Sequence, residues 1–257
     1  MKINCPICNR ESSFFVKKKD RFNQSYNYFK CMSCRFLFDE DIVKNKKVLE
    51  EKTSKVYDKE YFKNIDSGWK QRGDKMLSVI NIFIKILSIL KSNKNIEVLD
   101  YGAGNGYVTS KIKSANVFYY DKYEQPIYNG HYKALDRPEK VDIVCAVELV
   151  EHLSDINELT EISKLSGKAL ILTTEVSNGI SDNELLDWVY VNPDAGHTCI
   201  YSFESLFLFA KKNNLFYFFF PYKFSHIFIK SKLLSRLNFV SVEYFVYKLI
   251  KKFKSII

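Results

Sequence analysis

The feature that most constrains this fold is the run Val98-Leu99-Asp100-Tyr101-Gly102-Ala103-Gly104-Asn105-Gly106-Tyr107. An apolar strand enters a turn with glycine at alternate positions and leaves it as a helix. Gly102 and Gly104 permit a tight turn and let a ligand approach the backbone closely. The residues that follow alternate strand and helix patterns. Ile96–Tyr101 predicts a strand, Gly106–Ser114 a helix, Val117–Asp121 a second strand and Val141–Val147 a buried strand. Asp155–Ser166 predicts a helix with Ile156, Leu159, Ile162 and Leu165 on one face, and Lys168–Thr174 another strand. Ser202–Asn213 reads as a helix capped by Ser202, and Leu215–Phe220 and His226–Lys230 as late strands. The alternation implies an α/β fold with a doubly wound, mostly parallel sheet.

The flanks differ from this body. Residues 1–40 are rich in aromatics, lack a helical period and carry two C-x-x-C pairs. Residues 41–92 read as a linker and helical cap. Met76, Leu77, Ile80, Phe83, Ile84, Leu87 and Leu90 recur there at helical spacing and predict one helix from about Gln71 to Lys91. The body spans 93–232, and 233–257 reads as an amphipathic helical segment suited to packing on the core or to weak peripheral membrane contact. The 46% hydrophobic content excludes a mostly disordered chain. The net charge of +9 is compatible with nucleic acid, anionic lipid or phosphorylated ligands, and equally with a solvated lysine-rich surface. No apolar run approaches the ~20 residues of a membrane span. Met1–Arg10 has no apolar core of a secretory signal, so a cytoplasmic location with reduced thiols is expected.

The strand Val117–Tyr120 ends in Asp121, placed to accept hydrogen bonds from ribose hydroxyls. Here the chain resembles class I S-adenosylmethionine (SAM)-dependent methyltransferases, whose glycine loop has this V-L-D-x-G-x-G-x-G form and whose second strand ends in an acidic residue. Val141-Asp142-Ile143-Val144, Glu148-Leu149-Val150-Glu151-His152-Leu153 and Gly167-Lys168-Ala169-Leu170-Ile171-Leu172 resemble their fourth and fifth strands and the segment between. Gly196-His197 and Ser202-Phe203-Glu204-Ser205-Leu206 resemble a pre-helix segment of a bacterial branch that acts on small molecules. The resemblance implies a Rossmann-like domain. In it Gly102, Ala103, Gly104 and Gly106 line SAM, Asp100 supports the loop, Asp121 holds the ribose and Asp136 reaches the adenine.

Cys5-Pro-Ile-Cys8 and Cys31-Met-Ser-Cys34 form two turns that each present two thiolates, enough for a closed tetrahedral Zn²⁺ site of structural type. A redox C-x-x-C is the other reading, although no thioredoxin-like strand and helix accompany either pair. Cys145 and Cys199 stand alone and read as buried small residues. Some bacterial methyltransferases begin similarly, with a zinc-ribbon-like module, then apolar residues such as Arg35-Phe36-Leu37-Phe38, then a tyrosine-rich segment such as Tyr57-Asp58-Lys59-Glu60-Tyr61-Phe62. Many of these relatives modify sugars, surface-polysaccharide precursors or natural products. The larger deoxysugar C-methyltransferases carry a further C-terminal domain, which weakens a C-methylation reading.

Glu148, Glu151 and His152 recur at i, i+3 and i+4, so one helical turn would place them on one face after the fourth strand. His197 should rim the same mouth from a later loop. Three readings stay open: a divalent-cation site for Mg²⁺ or Mn²⁺, a metal-free general base at His152 or His197, and a purely structural cap. The first resembles the metal site of some ubiquinone-pathway O-methyltransferases and of small-RNA 2′-O-methyltransferases. The expected activity is O-methylation of a small polar acceptor, such as a sugar or sugar nucleotide. N- or C-methylation, RNA 2′-O-methylation and a non-catalytic SAM-binding or zinc scaffold are the alternatives. RNA is disfavoured because no separate RNA-binding module is evident.

Overall fold

A computed structural model describes residues 2–56, 67–90, 95–220 and 225–230. The Tyr57–Phe62 motif and the segment 233–257 lie outside the described residues.

The chain opens with β1 (Lys2–Asn4), β2 (Glu11–Lys19), β3 (Ser25–Cys31) and β4 (Leu37–Asp39), paired antiparallel in that order. The β2–β3 hairpin turns because the Asp20 carboxylate accepts from the Phe22 and Gln24 amides at 2.9 and 2.8 Å, with Asn23 left-handed at φ 61°. Two helices follow, α1 (Asp41–Lys44) and α2 (Lys46–Val56), and then the long α3 (Ser67–Leu90) at the place its apolar period predicts.

Next come β5 (Glu97–Tyr101), α4 (Tyr107–Lys111), β6 (Asn116–Tyr120), β7 (Tyr132–Ala134), β8 (Val141–Val147), α5 (Ile156–Leu165) and β9 (Ser166–Thr173). The chain ends its described course with α6 (Asp182–Asp187), β10 (Cys199–Ile200), α7 (Phe203–Lys212), β11 (Leu215–Phe220) and β12 (Ser225–Lys230). The main sheet runs β11-β12-β9-β8-β5-β6-β7, parallel from β9 to β7, with β12 antiparallel to both its neighbours. This is the Rossmann-like sheet expected. Strand order reverses between β5 and β8, so a crevice opens at their carboxyl ends, where such sheets bind ligands.

From Ile143 to Val147 β8 reads as a continuous apolar run because it is buried on both faces. Its alternate residues divide between two cores. Ile143 and Cys145 join the α3 face with Met76, Ile80 and Phe83. Val144 and Ala146 join the α5 and α7 face with Leu159, Ile162 and Leu206. That second core also contains Tyr28, Phe36 and Phe38, so the cysteine-bearing segment is packed into the body.

The N-terminal sheet does not close on itself at residue 40. Its fifth strand is β10, which pairs antiparallel with β4. Several bonds reinforce the seam. Tyr28 donates to His197 O at 2.5 Å, the Asp39 amide to Thr198 O at 2.9 Å, and Ser202 Oγ to Cys34 O at 2.5 Å. Lys18 Nζ reaches Val191 O at 2.8 Å, and Lys30 pairs with Asp182. Ser202 also caps α7, in a capping box with Ser205.

Asp39 lies at this seam, fully buried, with Oδ1 accepting from the Asp41 amide and Oδ2 without a partner. Burial pushes its carboxyl up to about 7. The folded state therefore holds this proton more tightly than the unfolded state. The associated stability is present below about pH 4 and is lost as pH rises through about 7. Asp39→Asn keeps an acceptor for the Asp41 amide and removes the titration. Urea unfolding across pH 4–8 should show a shallower fall in the variant, with a gain of at most about 4 kcal/mol at the upper end. An unchanged pH profile would contradict the assignment.

Candidate active site

The glycine loop leaves β5 with Gly102, Gly104 and Gly106 at φ 69°, 54° and 81°, a backbone that side chains rarely tolerate. A Cβ on Gly102 would sit 2.6 Å from Leu149 Cδ1, whereas one on Gly104 would meet nothing within 4 Å. Gly104 thus leaves its backbone open to a ligand. The Gly102 and Ala103 amides donate to Tyr120 O, which ties the loop to the end of β6. The Gly104 amide donates to Asp121 Oδ2 at 2.8 Å, and Asp121 Oδ1 accepts from Tyr123 and Glu124 amides at 2.8 and 2.9 Å. Asp121 is thereby fixed beside the loop. Asp100 is buried beneath it and accepts from Thr109 Oγ1 at 2.6 Å, and burial pushes its carboxyl up to about 6.

A cavity of about 650 Å³ opens over this loop. Asp100, Gly102, Ala103, Gly104, Asp121, Glu148, His152 and His197 all line it. Gly106 faces Pro126, away from the lining, and Asp136 is exposed and outside it, beyond the edge strand β7. The expectation that Asp136 reaches an adenine finds no support in this placement.

The acid–histidine group departs from a single helical turn. Val150–His152 form a short 3₁₀ turn, and Glu148 precedes it with left-handed φ 50°, so the chain bends between the two glutamates. Glu148 consequently faces Arg72, whose Nε lies 2.8 Å from its carboxylate. Glu151, His152 and His197 do converge, with one ligand atom from each within 4.8 Å of the others. The two imidazole rings are 4.8 Å apart.

Both histidines have a defined tautomer. His152 Nδ1 lies 3.2 Å from Gly196 O and His197 Nδ1 lies 2.6 Å from Tyr190 O. A carbonyl only accepts, so each Nδ1 carries the hydrogen and each Nε2 is an acceptor. Burial lowers His152 to about 4 and, with His152 beside it, His197 to about 3. Both rings are neutral at neutral pH. Glu151 accepts from Tyr190 OH at 2.7 Å through Oε1, while Oε2 is buried without a partner. Burial raises both Glu148 and Glu151 to about 7, and in Glu148 the charge of Glu151 adds to it. The Glu151 carboxyl facing two neutral imidazole nitrogens forms a donor set suited to a divalent cation.

Cys5, Cys8, Cys31 and Cys34 gather at the other end of the N-terminal sheet, again with all sulfurs within 4.8 Å. Cys5 and Cys34 are 3.6 Å apart and Cys8 and Cys31 3.4 Å. A Zn²⁺ with sulfur ligands at about 2.3 Å requires edges of about 3.8 Å, so the thiols fit it. Each pair closes the same turn. The Asn9 amide donates to Cys5 O and the Arg35 amide to Cys31 O, with Asn9 and Arg35 left-handed at φ 59° and 58°. Neither sulfur pair is joined as a disulfide. Cys145 and Cys199 are fully buried, as expected.

Sequence reasoning missed Tyr190, Arg72, Arg21 and Thr53. All four line the cavity, the last two from the N-terminal part of the chain. Tyr190 could have been found by its position seven residues before His197 in the same rim segment. The others have no local signal.

A family profile for a methyltransferase domain matches residues 69–216, more than half of the chain. The chain belongs to that family and is a SAM-dependent methyltransferase. Among solved structures it is similar to magnesium protoporphyrin IX methyltransferase from Synechocystis PCC 6803 with bound SAH. There the identity is 13%, coverage 75% of this chain and 100% of that one, and the TM-score 0.45. It is also similar to the plantazolicin methyltransferase BpumL in complex with a pentazolic desmethylPZN analog and SAH. In that case the identity is 15%, coverage 73% and 98%, and the TM-score 0.48. No curated protein matches the sequence. Among the described residues no helix is long and apolar enough to cross a membrane.

Calorimetry should show saturable binding of S-adenosylhomocysteine to the wild type. Asp121→Ala, which also releases the Gly104 amide, should weaken it by about tenfold or more, since a lost hydrogen bond to a charged group costs about 1.5–3 kcal/mol. Equal affinity in the variant would remove Asp121 from the cofactor site.

Proposed function

We propose that this enzyme transfers the SAM methyl group to a hydroxyl oxygen of a small polar acceptor, with a divalent cation held by Glu151, His152 and His197. The observation that carries this reading is the double anchoring of the histidines. With both Nδ1 hydrogens committed to main-chain carbonyls, both imidazoles offer Nε2 as acceptors beside the Glu151 carboxylate. Mg²⁺ or Mn²⁺ bound there would acidify an acceptor hydroxyl. The metal-free reading asks an imidazole lowered to about 3 to take a proton at neutral pH, where its weak basicity leaves little driving force.

The chemistry required of the chain is modest. The sulfonium donor is already activated, so the protein mainly has to align the oxygen with the methyl carbon. As the oxygen bonds to the methyl carbon, the carbon–sulfur bond breaks, S-adenosylhomocysteine leaves, and the hydroxyl proton passes to solvent water. The glycine loop and Asp121 supply the donor half of the cavity, and Arg72, Tyr190 and His197 border the acceptor half. A sugar, sugar nucleotide or surface-polysaccharide precursor is the acceptor class we favour, on the likeness of the cysteine module to that of bacterial sugar-modifying relatives. We assign a structural Zn²⁺ to the four cysteines and a cytoplasmic location in which they stay reduced.

Two experiments test these assignments. Elemental analysis of protein made with adequate zinc should give one Zn²⁺ per chain, and Cys31→Ser should lose it; zinc-free, folded wild type refutes the module. Methyl transfer from labelled SAM to a panel of sugar nucleotides should vanish on EDTA treatment and return with Mg²⁺ or Mn²⁺, zinc content being followed in parallel. His197→Ala removes a proposed cation ligand and should lower both kcat and manganese affinity, with S-adenosylhomocysteine affinity nearly intact. Turnover indifferent to EDTA would exclude the cation.

A further inference from the structure

We propose that Tyr190 is the positioning residue of the acceptor-side centre, fixing the Glu151 carboxylate with its phenol and the His197 tautomer with its main-chain carbonyl. The proposal rests on the cation reading above and names what builds that site. It follows from counting the bonds of one side chain. A phenol has one hydrogen to donate and accepts two. Its donor goes to Glu151 Oε1 at 2.7 Å, because a carboxylate only accepts. The Glu175 amide, 3.1 Å away, can only donate to it. The Thr174 hydroxyl, at 2.8 Å, must then donate as well. All three sites of the phenol are used, and the residue is only 7% exposed.

The consequence for Glu151 is specific. Oε1 is held by Tyr190, so the capacity of the carboxylate to bind a ligand resides in Oε2, which is buried and has no protein partner. Glu151 is thereby arranged as a one-oxygen ligand. The other end of Tyr190 acts on the histidine. Its carbonyl accepts from His197 Nδ1 at 2.6 Å, and its ring lies 4.3 Å from the imidazole, tilted by 56°. Trp188 backs the Tyr190 ring at 5.1 Å. One residue thus ties the end of β9 to two of the three converging side chains. A residue that merely filled the core would need none of these polar contacts.

Tyr190→Phe deletes the hydroxyl and leaves ring and carbonyl in place. Manganese binding to zinc-loaded protein, read by electron paramagnetic resonance, should weaken by about 10- to 100-fold, the usual cost of removing an outer-shell partner. S-adenosylhomocysteine affinity and zinc content should stay within about twofold. In a Glu151→Gln background the same substitution should have no further effect, because the two groups act as a unit. Thr174→Val, which frees the phenol to rotate, should weaken manganese alone and to a smaller degree; it carries the test if Tyr190→Phe does not fold. Wild type that binds no manganese overturns the cation reading and this proposal together. Wild type that binds it, with Tyr190→Phe binding equally well, overturns this proposal alone. Loss of manganese and S-adenosylhomocysteine together in Tyr190→Phe also overturns it, by showing a general structural role.

Discussion

Thr198 is gripped from both sides, and the placement of the rim segment that carries His197 depends on that grip. Its amide donates to Glu151 O at 2.8 Å, its carbonyl accepts from the Asp39 amide at 2.9 Å, and its hydroxyl donates to Leu153 O at 2.7 Å. The residue before it is His197, whose own carbonyl takes the Tyr28 hydroxyl. The rim segment is therefore a strip of backbone sewn between the turn after β8 and the cysteine-bearing sheet. Each of these groups would be costly to bury unpaired, so the seam is specified by the need to satisfy them.

The two halves of the cavity are built by different means. The glycine-loop side is local: a strand, the left-handed Gly102 and Gly104, and an aspartate at the end of the next strand, all between residues 97 and 121. The opposite side is assembled from α3, the turn after β8, the rim segment, the β2–β3 turn and α2. It is also the drier half electrostatically. Its two imidazoles are kept neutral and its two carboxyls are raised, because burial disfavours the charged form of each.

That division explains what was legible in the sequence. In the body β5, α4, β6, β8, α5, β9, α7, β11 and β12 followed from periodicity, and Ser202 marked a helix start by its capping chemistry, whereas β7, α6 and β10 are too short to show a period. The left-handed Gly102–Gly106 turn and the placement of Asp121 beside it were legible because that geometry is set by neighbours in the chain. Glu148 was misplaced because its spacing from Glu151 matched a helix, while a left-handed residue at the strand end turned it toward Arg72, a partner 76 positions earlier. The role of Tyr190 is also tertiary, since its partners come from three separate segments. His226 shows the same limit: a strand residue by pattern, it is fully buried, with Tyr217 OH and Thr174 O at its two nitrogens.

The pairing of β4 with β10 has a consequence for how the chain comes off the ribosome. Cys34 and its partner Ser202 are 168 residues apart in sequence. At about 5–20 residues per second, β4 is synthesised roughly 10–30 s before the strand that covers it. During that interval its free amides and carbonyls form an exposed edge, able to template pairing with another nascent chain. A knot of four thiolates around a metal could close within the first few dozen residues and hold the early strands in register, but it cannot cover that edge. The hazard ends only when the rim segment that carries His197 docks, so completing the sheet and placing that histidine are the same event.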